Sequence, residues 1–280
     1  YLFGDAYPER YFNMGIAELG TMAAAAGMAA DGRTAIVCGY GVFLTMRALE
    51  AVRSFICYPK LNVKIFSSHG GVTAAIDGVT HQATEDIAFM STLPGMVVLV
   101  PSDSNAARAA FDLAVDTKGP VFVRLMRDPL QELYPAGTEF RVGGSHLVRP
   151  GTDLTIASYG DMLFQALEAA NLLASEGISA EVIDFYSIKP WDQPALAASL
   201  AKTGALLVAE NHQQKNGFGY ELAAWCMHNQ LRVPFGQIGL NDTFAESGSY
   251  QMTLQKFNMD AAAIVGSCKN LLAQKNKEKA

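Results

Sequence analysis

The chain has 280 residues, of which 50% are hydrophobic, and it carries a formal net charge of −6. This length exceeds that of most single domains, so we expect two domains with separate cores. The acidic balance and the lack of any Lys/Arg cluster argue against a nucleic-acid surface, and the most apolar run, at 20–30, is too short to span a membrane.

The four cysteines lie far apart and form no C-x-x-C pair; they are Cys38, Cys57, Cys226 and Cys268. This spacing favours buried free thiols over disulfides or zinc ligands. The expected compartment is the cytoplasm.

Short β-rich runs alternate with helical patterns in the first part of the chain. The predicted segments are a helix at 20–30, a strand at 34–40, a helix at 43–57, a strand at 62–68, a helix at 83–93, a strand at 96–102, a helix at 105–117 and a strand at 121–127. Alternation of this kind is typical of parallel strands joined by crossover helices.

The pattern lapses into Pro, Gly and polar residues at 131–152, which indicates a linker between domains at 1–130 and 153–280. Alternation then resumes, with strands predicted at 153–160, 179–188 and 205–211 and helices at 162–176, 193–202 and 219–230. The Lys-rich tail after Asn270 is expected to fray. The predicted fold class is α/β, with two doubly wound domains that each contain a parallel sheet.

Several enzyme classes lose support because their motifs are missing. The chain has no G-x-S-x-G elbow and no G-x-x-x-x-G-K-[ST] loop. The runs "GYGVFL" and "GFGYEL" open like G-x-G-x-x-G but lack its third glycine, so a lone dinucleotide site is not supported.

The stretch "SSHGGVTAAIDGVTHQATED" at 67–86 places His69, Asp77 and His81 on a loop. His69 comes directly after a predicted parallel strand, where open α/β sheets build ligand crevices. Gly70 and Gly71 would let the backbone approach a ligand closely. Three interpretations stay open: a metal site, loop residues that only hydrogen-bond locally, and substrate binding with proton transfer.

Glu18 begins a helix made almost wholly of Met, Leu, Ala and Gly, so we expect its carboxyl to be sheltered from water. Such an acid could pass a proton to a heterocyclic nitrogen and take it back. The alternative is a first-turn carboxylate that stabilises the helix dipole. Phe43 offers a flat face for such a ring, although core packing would also explain it.

The runs "ERYFNMGIAELG", "VFLTMRALEAVR", "SSHGGVTAAIDGVTHQATEDIAFMSTLPGMVVLVPSD" and "IDFYSIKPWD" together resemble the pyrimidine-binding and C-terminal domains of the transketolase family of thiamine diphosphate enzymes. The resemblance implies that Glu18 exchanges a proton with N1′ of the aminopyrimidine and that Phe43 stacks on this ring. Met46 stands where a second aromatic often follows, so sulfur would replace one ring contact.

The same resemblance places the loop residues against the sugar substrates. Asp77 and His81 would lie near the hydroxyls and carbonyl oxygen of the donor, and His69 would lie toward the acceptor. Arg127 resembles the arginine that binds the sugar phosphate, with an ion pair at the sheet edge as the alternative.

The G-D-G motif that holds Mg²⁺ and the diphosphate in this family does not occur in the chain. The resemblance therefore implies the C-terminal half of a split transketolase, completed by an N-terminal diphosphate-binding subunit that holds Mg²⁺, in an α2β2 heterotetramer. The C-terminal domain would support assembly and contribute no chemistry. The implied reaction moves a two-carbon ketol unit from a ketose phosphate to an aldose phosphate.

Three other functions compete with ketol transfer. Deoxyxylulose-phosphate synthases carry an Arg where this chain has Gly70, and dehydrogenase E1 β subunits lack the D-G-x-T-H-Q element, so both pyruvate-using relatives fit less well. A non-catalytic scaffold subunit would be expected to lose Glu18 or the loop histidines, and all of these residues are present.

Overall fold

The computed structural model describes residues 2–279 and shows two α/β domains, each built on a five-stranded sheet. The strands are β1 (Ala35–Tyr40), β2 (Val63–Ser68), β3 (Val97–Leu99), β4 (Val121–Arg124), β5 (His146–Arg149), β6 (Leu154–Ser158), β7 (Ala180–Asp184), β8 (Ser187–Lys189), β9 (Leu206–Gln213) and β10 (Phe235–Leu240). The α-helices are α1 (Leu2–Ala6), α2 (Glu18–Ala30), α3 (Leu49–Ala51), α4 (Asp86–Thr92), α5 (Ser104–Asp116), α6 (Met162–Ser175), α7 (Gln193–Thr203), α8 (Phe218–His228), α9 (Tyr250–Lys256) and α10 (Ala261–Lys279). Two π-helical stretches, Phe43–Arg47 and Val52–Cys57, flank α3, and short 3₁₀ turns cover Pro8–Arg10, Val72–Asp77 and Val79–His81.

The first sheet has the strand order β1-β2-β4-β3-β8, and its first four strands pair in parallel. Its core comes from the apolar run of β2, where Val63 and Ile65 are fully buried because helices cover both faces of the central strands. Parallel pairing brings the carboxyl ends of β1, β2 and β4 to one edge of the sheet. This edge is where the predicted site residues lie.

The fifth strand of this sheet comes from the other half of the chain. β8 pairs antiparallel with β3, so the single strand predicted at 179–188 is wrong in one respect: it breaks after Asp184 and its second part crosses to the first sheet. Asp184 is the only charged residue between Val182 and Ile188, and a single charged residue within a strand pattern does not indicate a change of sheet.

The second sheet has the order β10-β9-β6-β7-β5, parallel except for β5, which pairs antiparallel with β7. β5 lies within the segment 131–152 that the sequence presents as a linker. The tail that was expected to fray instead continues α10, which packs against α6 and β10 and buries Ile264, Cys268 and Leu271. These three residues are spaced along one face of a helix, and this burial outweighs the polar composition of the tail.

Helix α2 is buried on one side and exposed on the other. Met22 and Ala26 are buried against the first sheet, whereas Leu19 is 50% exposed. The neighbouring edge strand β1 also alternates, with Ile36 45% and Tyr40 41% exposed. The apolar composition of this helix does not mean that all of it is buried, because nothing in the described chain covers the side that carries Leu19.

The cysteines follow the prediction with one exception. All four thiols are free, and three are buried, but Cys38 is exposed because it points to the open side of β1. Among residues 2–279, no helix is long and apolar enough to cross a bilayer.

A buried carboxylate ties the segment 131–152 to both sheets. Asp184, at the end of β7, accepts hydrogen bonds from Tyr134 Oη at 2.7 Å and Ser102 Oγ at 3.0 Å. Its Oδ1 has no hydrogen-bond partner within the described residues. Burial raises the pKa of Asp184 to about 7, because the charged form loses its hydration.

This burial makes a prediction for stability. A native carboxyl with a raised pKa holds its proton between pH 4 and 7 while the unfolded chain has released it, so the free energy of unfolding falls as pH rises through that window. Asp184→Asn cannot titrate and should be stabilised relative to the wild type at pH 8, by on the order of 2–4 kcal/mol, with a smaller gain of about 1–2 kcal/mol at pH 5. Urea denaturation at both pH values measures this, with the exposed Asp112→Asn as control. The same pH dependence in wild type and Asp184→Asn would contradict the assignment.

Candidate functional site

The predicted site residues gather at the carboxyl edge of the first sheet. β1 ends at Tyr40, and His69 directly follows β2, as the sequence predicts. The loop after His69 folds into two short 3₁₀ turns, the first ending at Asp77 and the second at His81. Asp77 and His81 therefore lie in separate turns around Gly78 and do not share one helical face.

Glu18 lies at the first turn of α2, where its side chain is 15% exposed. The expected apolar surroundings are interrupted by Arg47, whose Nη1 donates a hydrogen bond of 2.9 Å to Glu18 Oε2. The same guanidinium lies over the ring of Phe43, with Cζ 4.6 Å from the ring centroid. Glu18 and Phe43 thus face a common space, which the Arg47 side chain occupies.

An aromatic cluster continues from Phe43 to the loop. The ring of His81 meets Phe43 edge-on, with centroids 5.3 Å apart, and meets Tyr40 edge-on at 5.6 Å. Tyr40 also packs against the ring of His69 at 4.3 Å. Aromatic contacts of this kind fix ring orientation, so both imidazoles are held in place beside Phe43.

Charged groups surround the outer side of His69. Its Nε2 lies 3.9 Å from Asp77 Oδ2, and Asp77 Oδ1 lies 3.9 Å from Nη2 of Arg127. Burial lowers the pKa of His69 and the positive charge of Arg127 lowers it further, whereas Asp77 acts in the opposite direction. The net effect favours a neutral imidazole near pH 7, which can accept a proton or donate a hydrogen bond.

Six of the seven predicted site residues therefore form one continuous series of contacts, through Glu18, Phe43, His81, His69, Asp77 and Arg127. Met46, the seventh, is 42% exposed.

Sequence reasoning missed two members of this series, Tyr40 and Arg47. Tyr40 is the last residue of a strand, and Arg47 follows Phe43 by about one helical turn, which the π-helical backbone makes slightly wider. Tyr40 could have been predicted, because the carboxyl ends of parallel strands are where such a sheet forms its site. Arg47 could not, because its contact with Glu18 joins two separate helical segments.

Gly70 and Gly71 serve a different purpose from the one the sequence suggests. A Cβ atom on Gly70 would lie 2.5 Å from Arg124 Nε, and one on Gly71 would lie 2.2 Å from Asn211 Oδ1. Gly71 also adopts a φ of 60°. The two glycines therefore allow buried side chains of the protein, and not a ligand, to approach the backbone.

The two kinds of ligand considered for this site fit it differently. Across residues 2–279, no group of three or more His, Cys, Asp or Glu side chains is placed to hold a metal ion. A flat ring with a basic nitrogen fits the space between Glu18 and Phe43, because the guanidinium there is itself planar, rich in nitrogen and hydrogen-bonded to the carboxylate.

Comparison with known proteins adds independent evidence. Residues 2–132 match the family model of the transketolase pyrimidine binding domain, and residues 143–264 match that of the transketolase C-terminal domain. A 6-deoxy-6-sulfo-D-fructose transketolase subunit of Clostridium sp. is 37% identical over 98% of this chain and 85% of its own length. A 1-deoxy-D-xylulose-5-phosphate synthase of Syntrophotalea carbinolica is 32% identical over 96% of this chain but only 43% of its own length.

A solved structure of a split-gene transketolase, described as an inactive β4 tetramer, superposes with a TM-score of 0.90. It is 40% identical, and the match covers 97% of this chain and 87% of the other. Family models, relatives and structure agree over nearly the whole length, and they confirm the fold class of two mostly parallel α/β domains. The chain belongs to the transketolase family and carries its pyrimidine-binding and C-terminal domains.

Proposed function

We propose that this chain is the pyrimidine-binding subunit of a two-subunit, thiamine diphosphate-dependent transketolase that moves a two-carbon ketol unit from a ketose phosphate to an aldose phosphate. The observation that carries this proposal is the common space between Glu18 and Phe43, which opens directly beside His81. Carboxyl, aromatic face and imidazole are the groups that a heterocyclic cofactor and a sugar would need at one edge of the sheet.

Glu18 and Phe43 would hold the pyrimidine end of the cofactor. Phe43 provides a flat face for stacking, and Met46, exposed nearby, would add a sulfur contact. Glu18 is placed to hold a proton against a ring nitrogen and to take it back. When bound, thiamine diphosphate supplies a carbon nucleophile, and its positively charged ring serves as the electron sink.

His69, Asp77, His81 and Arg127 would bind the sugars. Each imidazole can donate to a hydroxyl or move a proton at a hydroxyl oxygen, and their rings are fixed by Tyr40. Arg127 Nη1 also donates to the carbonyl of Ala74 at 3.3 Å, which aims the guanidinium across the loop. In that position it would pair with a sugar phosphate more strongly than with Asp77 at 3.9 Å.

The partner in this proposal is an N-terminal subunit that binds the diphosphate and Mg²⁺, in an α2β2 heterotetramer. The sequence contains no G-D-G motif, and one relative is itself named as a subunit. On either side of Glu18 in the chain lie two exposed apolar residues, Ile16 and Leu19, which are 92% and 50% exposed. Exposed apolar residues of this kind suit an interface. The four free cysteines suit the proposed cytoplasmic location.

The first prediction concerns Glu18. In a mixture of this chain with a diphosphate-binding subunit, Mg²⁺ and thiamine diphosphate, Glu18→Gln should lower the rate of ketol transfer by roughly 10²–10⁴-fold, because the amide cannot exchange the proton. The exposed Glu50→Gln is the matched control. Ketose phosphate and pyruvate are offered as donors in parallel assays. Full activity in Glu18→Gln would refute the proposed role, and faster turnover of pyruvate would favour the synthase function.

The second prediction concerns Arg47. Its guanidinium occupies the space between Glu18 and Phe43, so a ring that binds there must displace it. Arg47→Met should therefore tighten thiamine diphosphate binding, by roughly five- to tenfold, since the competing ion pair and ring contact are weak, half-exposed interactions. Titration calorimetry on the same mixture measures the Kd of thiamine diphosphate, with the exposed Arg53→Met as control. Weaker binding in Arg47→Met would show that this arginine supports the cofactor site instead of competing for it.

The third prediction concerns His69. Because burial and Arg127 lower its pKa, His69 should titrate below the usual 6.5 in an NMR experiment. Arg127→Gln should move the titration to higher pH, and Asp77→Asn should move it to lower pH. The His69 signal is assigned by its loss in His69→Gln. Shifts in the same direction for the two variants would contradict this arrangement of charges.

A further inference from the structure

The loop that carries His69, Asp77 and His81 is anchored at its start by the other domain. Asn211, fully buried in β9, accepts a hydrogen bond of 2.8 Å from the backbone N–H of Val72 through its Oδ1. Its Nδ2 donates to Asp161 Oδ2 at 2.7 Å. The hydroxyl of Tyr250 donates to the same oxygen. The first turn of the loop thus rests on three polar side chains of the C-terminal domain.

The end of the loop is tied to the same residue through a buried arginine. Arg124 Nη2 donates to the backbone carbonyl of Asn211 at 2.7 Å and to that of Ala83 at 3.2 Å. The N–H of Gly71 in turn donates to the carbonyl of Ala83 at 2.8 Å. Asn211 therefore contacts the start of the loop directly through its side chain, and its backbone carbonyl holds Arg124, which in turn bonds to the end of the loop at Ala83.

Further contacts from the C-terminal domain lie under the middle of the loop and at its end. Gln82 Nε2 donates to the carbonyl of Glu246 at 3.2 Å, and Gln213 N donates to the carbonyl of Thr84 at 2.8 Å. A Cβ atom on Gly78 would lie 2.4 Å from Ser247 Oγ, so the loop backbone lies directly on this segment.

The backbone between these anchors is strained. His69 and Ala75 adopt φ values of 63° and 49°, in a region that side chains with a Cβ rarely enter. Such conformations cost free energy and persist only where the surroundings fix them. The tip of the loop is exposed, with Ile76 65% exposed, whereas residues 70–75 are buried and Val72 packs in the apolar core of the C-terminal domain. Polar anchors and apolar packing from that domain therefore fix the loop together.

We propose that Asn211 is a positioning residue of the sugar site: through Val72 and Arg124 it fixes the loop so that His69, Asp77 and His81 point at the substrate. This inference rests on the proposed function, and it assigns the C-terminal domain a part in the chemistry that the sequence did not predict. Glu18 and Phe43 lie on other elements, and Phe43 meets the loop only at the edge of the His81 ring, so Asn211 acts mainly on the sugar steps and little on the pyrimidine end of the cofactor site.

The test exchanges the amide of Asn211 and the carboxylate of Asp161, which form a buried hydrogen-bonded pair. In Asn211→Asp, two carboxylates face each other across the 2.7 Å contact, and their repulsion displaces the side chain that accepts from Val72 N. In the double variant with Asp161→Asn, the amide introduced at position 161 donates one N–H to the carboxylate introduced at position 211, which still accepts from Val72 N. Its other N–H donates to the hydroxyl of Tyr250, which changes from donor to acceptor. Net charge and side-chain volume match the wild type, so the double variant restores the anchor without restoring the residue.

The reconstituted enzyme is assayed with ketose and aldose phosphates, and the Kd of thiamine diphosphate is measured in parallel. Asn211→Asp should lower kcat/KM for the sugars by roughly 10–100-fold, as expected for reacting groups displaced by about 1 Å, with less than about twofold change in cofactor Kd. The double variant should recover most of the loss. Tyr250→Phe removes only the hydroxyl that donates to Asp161, so it should lower kcat/KM for the sugars by less than Asn211→Asp does. It replaces Asn211→Asp in the test if that variant does not fold.

Thr155→Val is the control for general destabilisation. Thr155 is fully buried in the C-terminal domain and bonds to Ser199 and Thr203, remote from the loop. It should lower the melting temperature without changing the sugar kinetics. Sugar kinetics unchanged in Asn211→Asp, a loss that the double variant does not rescue, or an equal loss in Thr155→Val would overturn the proposal.

Amide hydrogen exchange separates this proposal from the proposed function. The amides of 70–85 should be protected in the wild type, exchange faster in Asn211→Asp and regain protection in the double variant, whichever sugars are used. A wild-type mixture that binds no thiamine diphosphate would defeat the proposed function and leave the anchor to be judged by exchange alone. Equal exchange in all three proteins would defeat the anchor even in an active enzyme.

Discussion

The buried ion pair between Arg124 and Asp86 is the constraint on which the rest of the site depends. Both side chains are fully buried, and Arg124 Nε lies 2.8 Å from Asp86 Oδ2. A charge in such a place is tolerated only when it is paired and hydrogen-bonded, and breaking a pair of this kind costs about 3–5 kcal/mol. Arg124 meets that requirement by bonding to carbonyl groups from both domains.

One guanidinium thereby joins the end of β4, the start of α4, the site loop and β9. Gly70 has no side chain because Arg124 fills the space where a Cβ would be. The position of His69 follows from that contact, since it is the residue just before Gly70. The geometry of the site is thus set in part by a residue outside the proposed sugar and cofactor contacts, and the C-terminal domain takes part in setting it.

The sequence predicted much of the fold and of the site, and physical reasons separate what it predicted from what it missed. Alternating apolar runs indicated the central strands, and the end of β2 indicated where His69 lies, because both depend on local periodicity. The crossing of β8 to the other sheet, the contact of Arg47 with Glu18 and the exposed side of α2 all depend on which elements meet in space. No local pattern carries that information.

Gly70 and Gly71 also show that a local pattern does not reveal which groups meet in space. Glycine indicates a close approach to the backbone without saying what approaches, and Gly70 and Gly71 meet buried side chains where a ligand was expected. Likewise, the polar tail after Asn270 gave no sign of helix α10, because that helix is stabilised by a few buried residues such as Ile264 and Leu271.

The crossing of β8 makes the first domain dependent on the second. A chain that ended after β4 would lack the fifth strand of the first sheet and would leave Arg124 without its acceptor on β9. We therefore expect the first domain to be far less stable as an isolated fragment than within this chain.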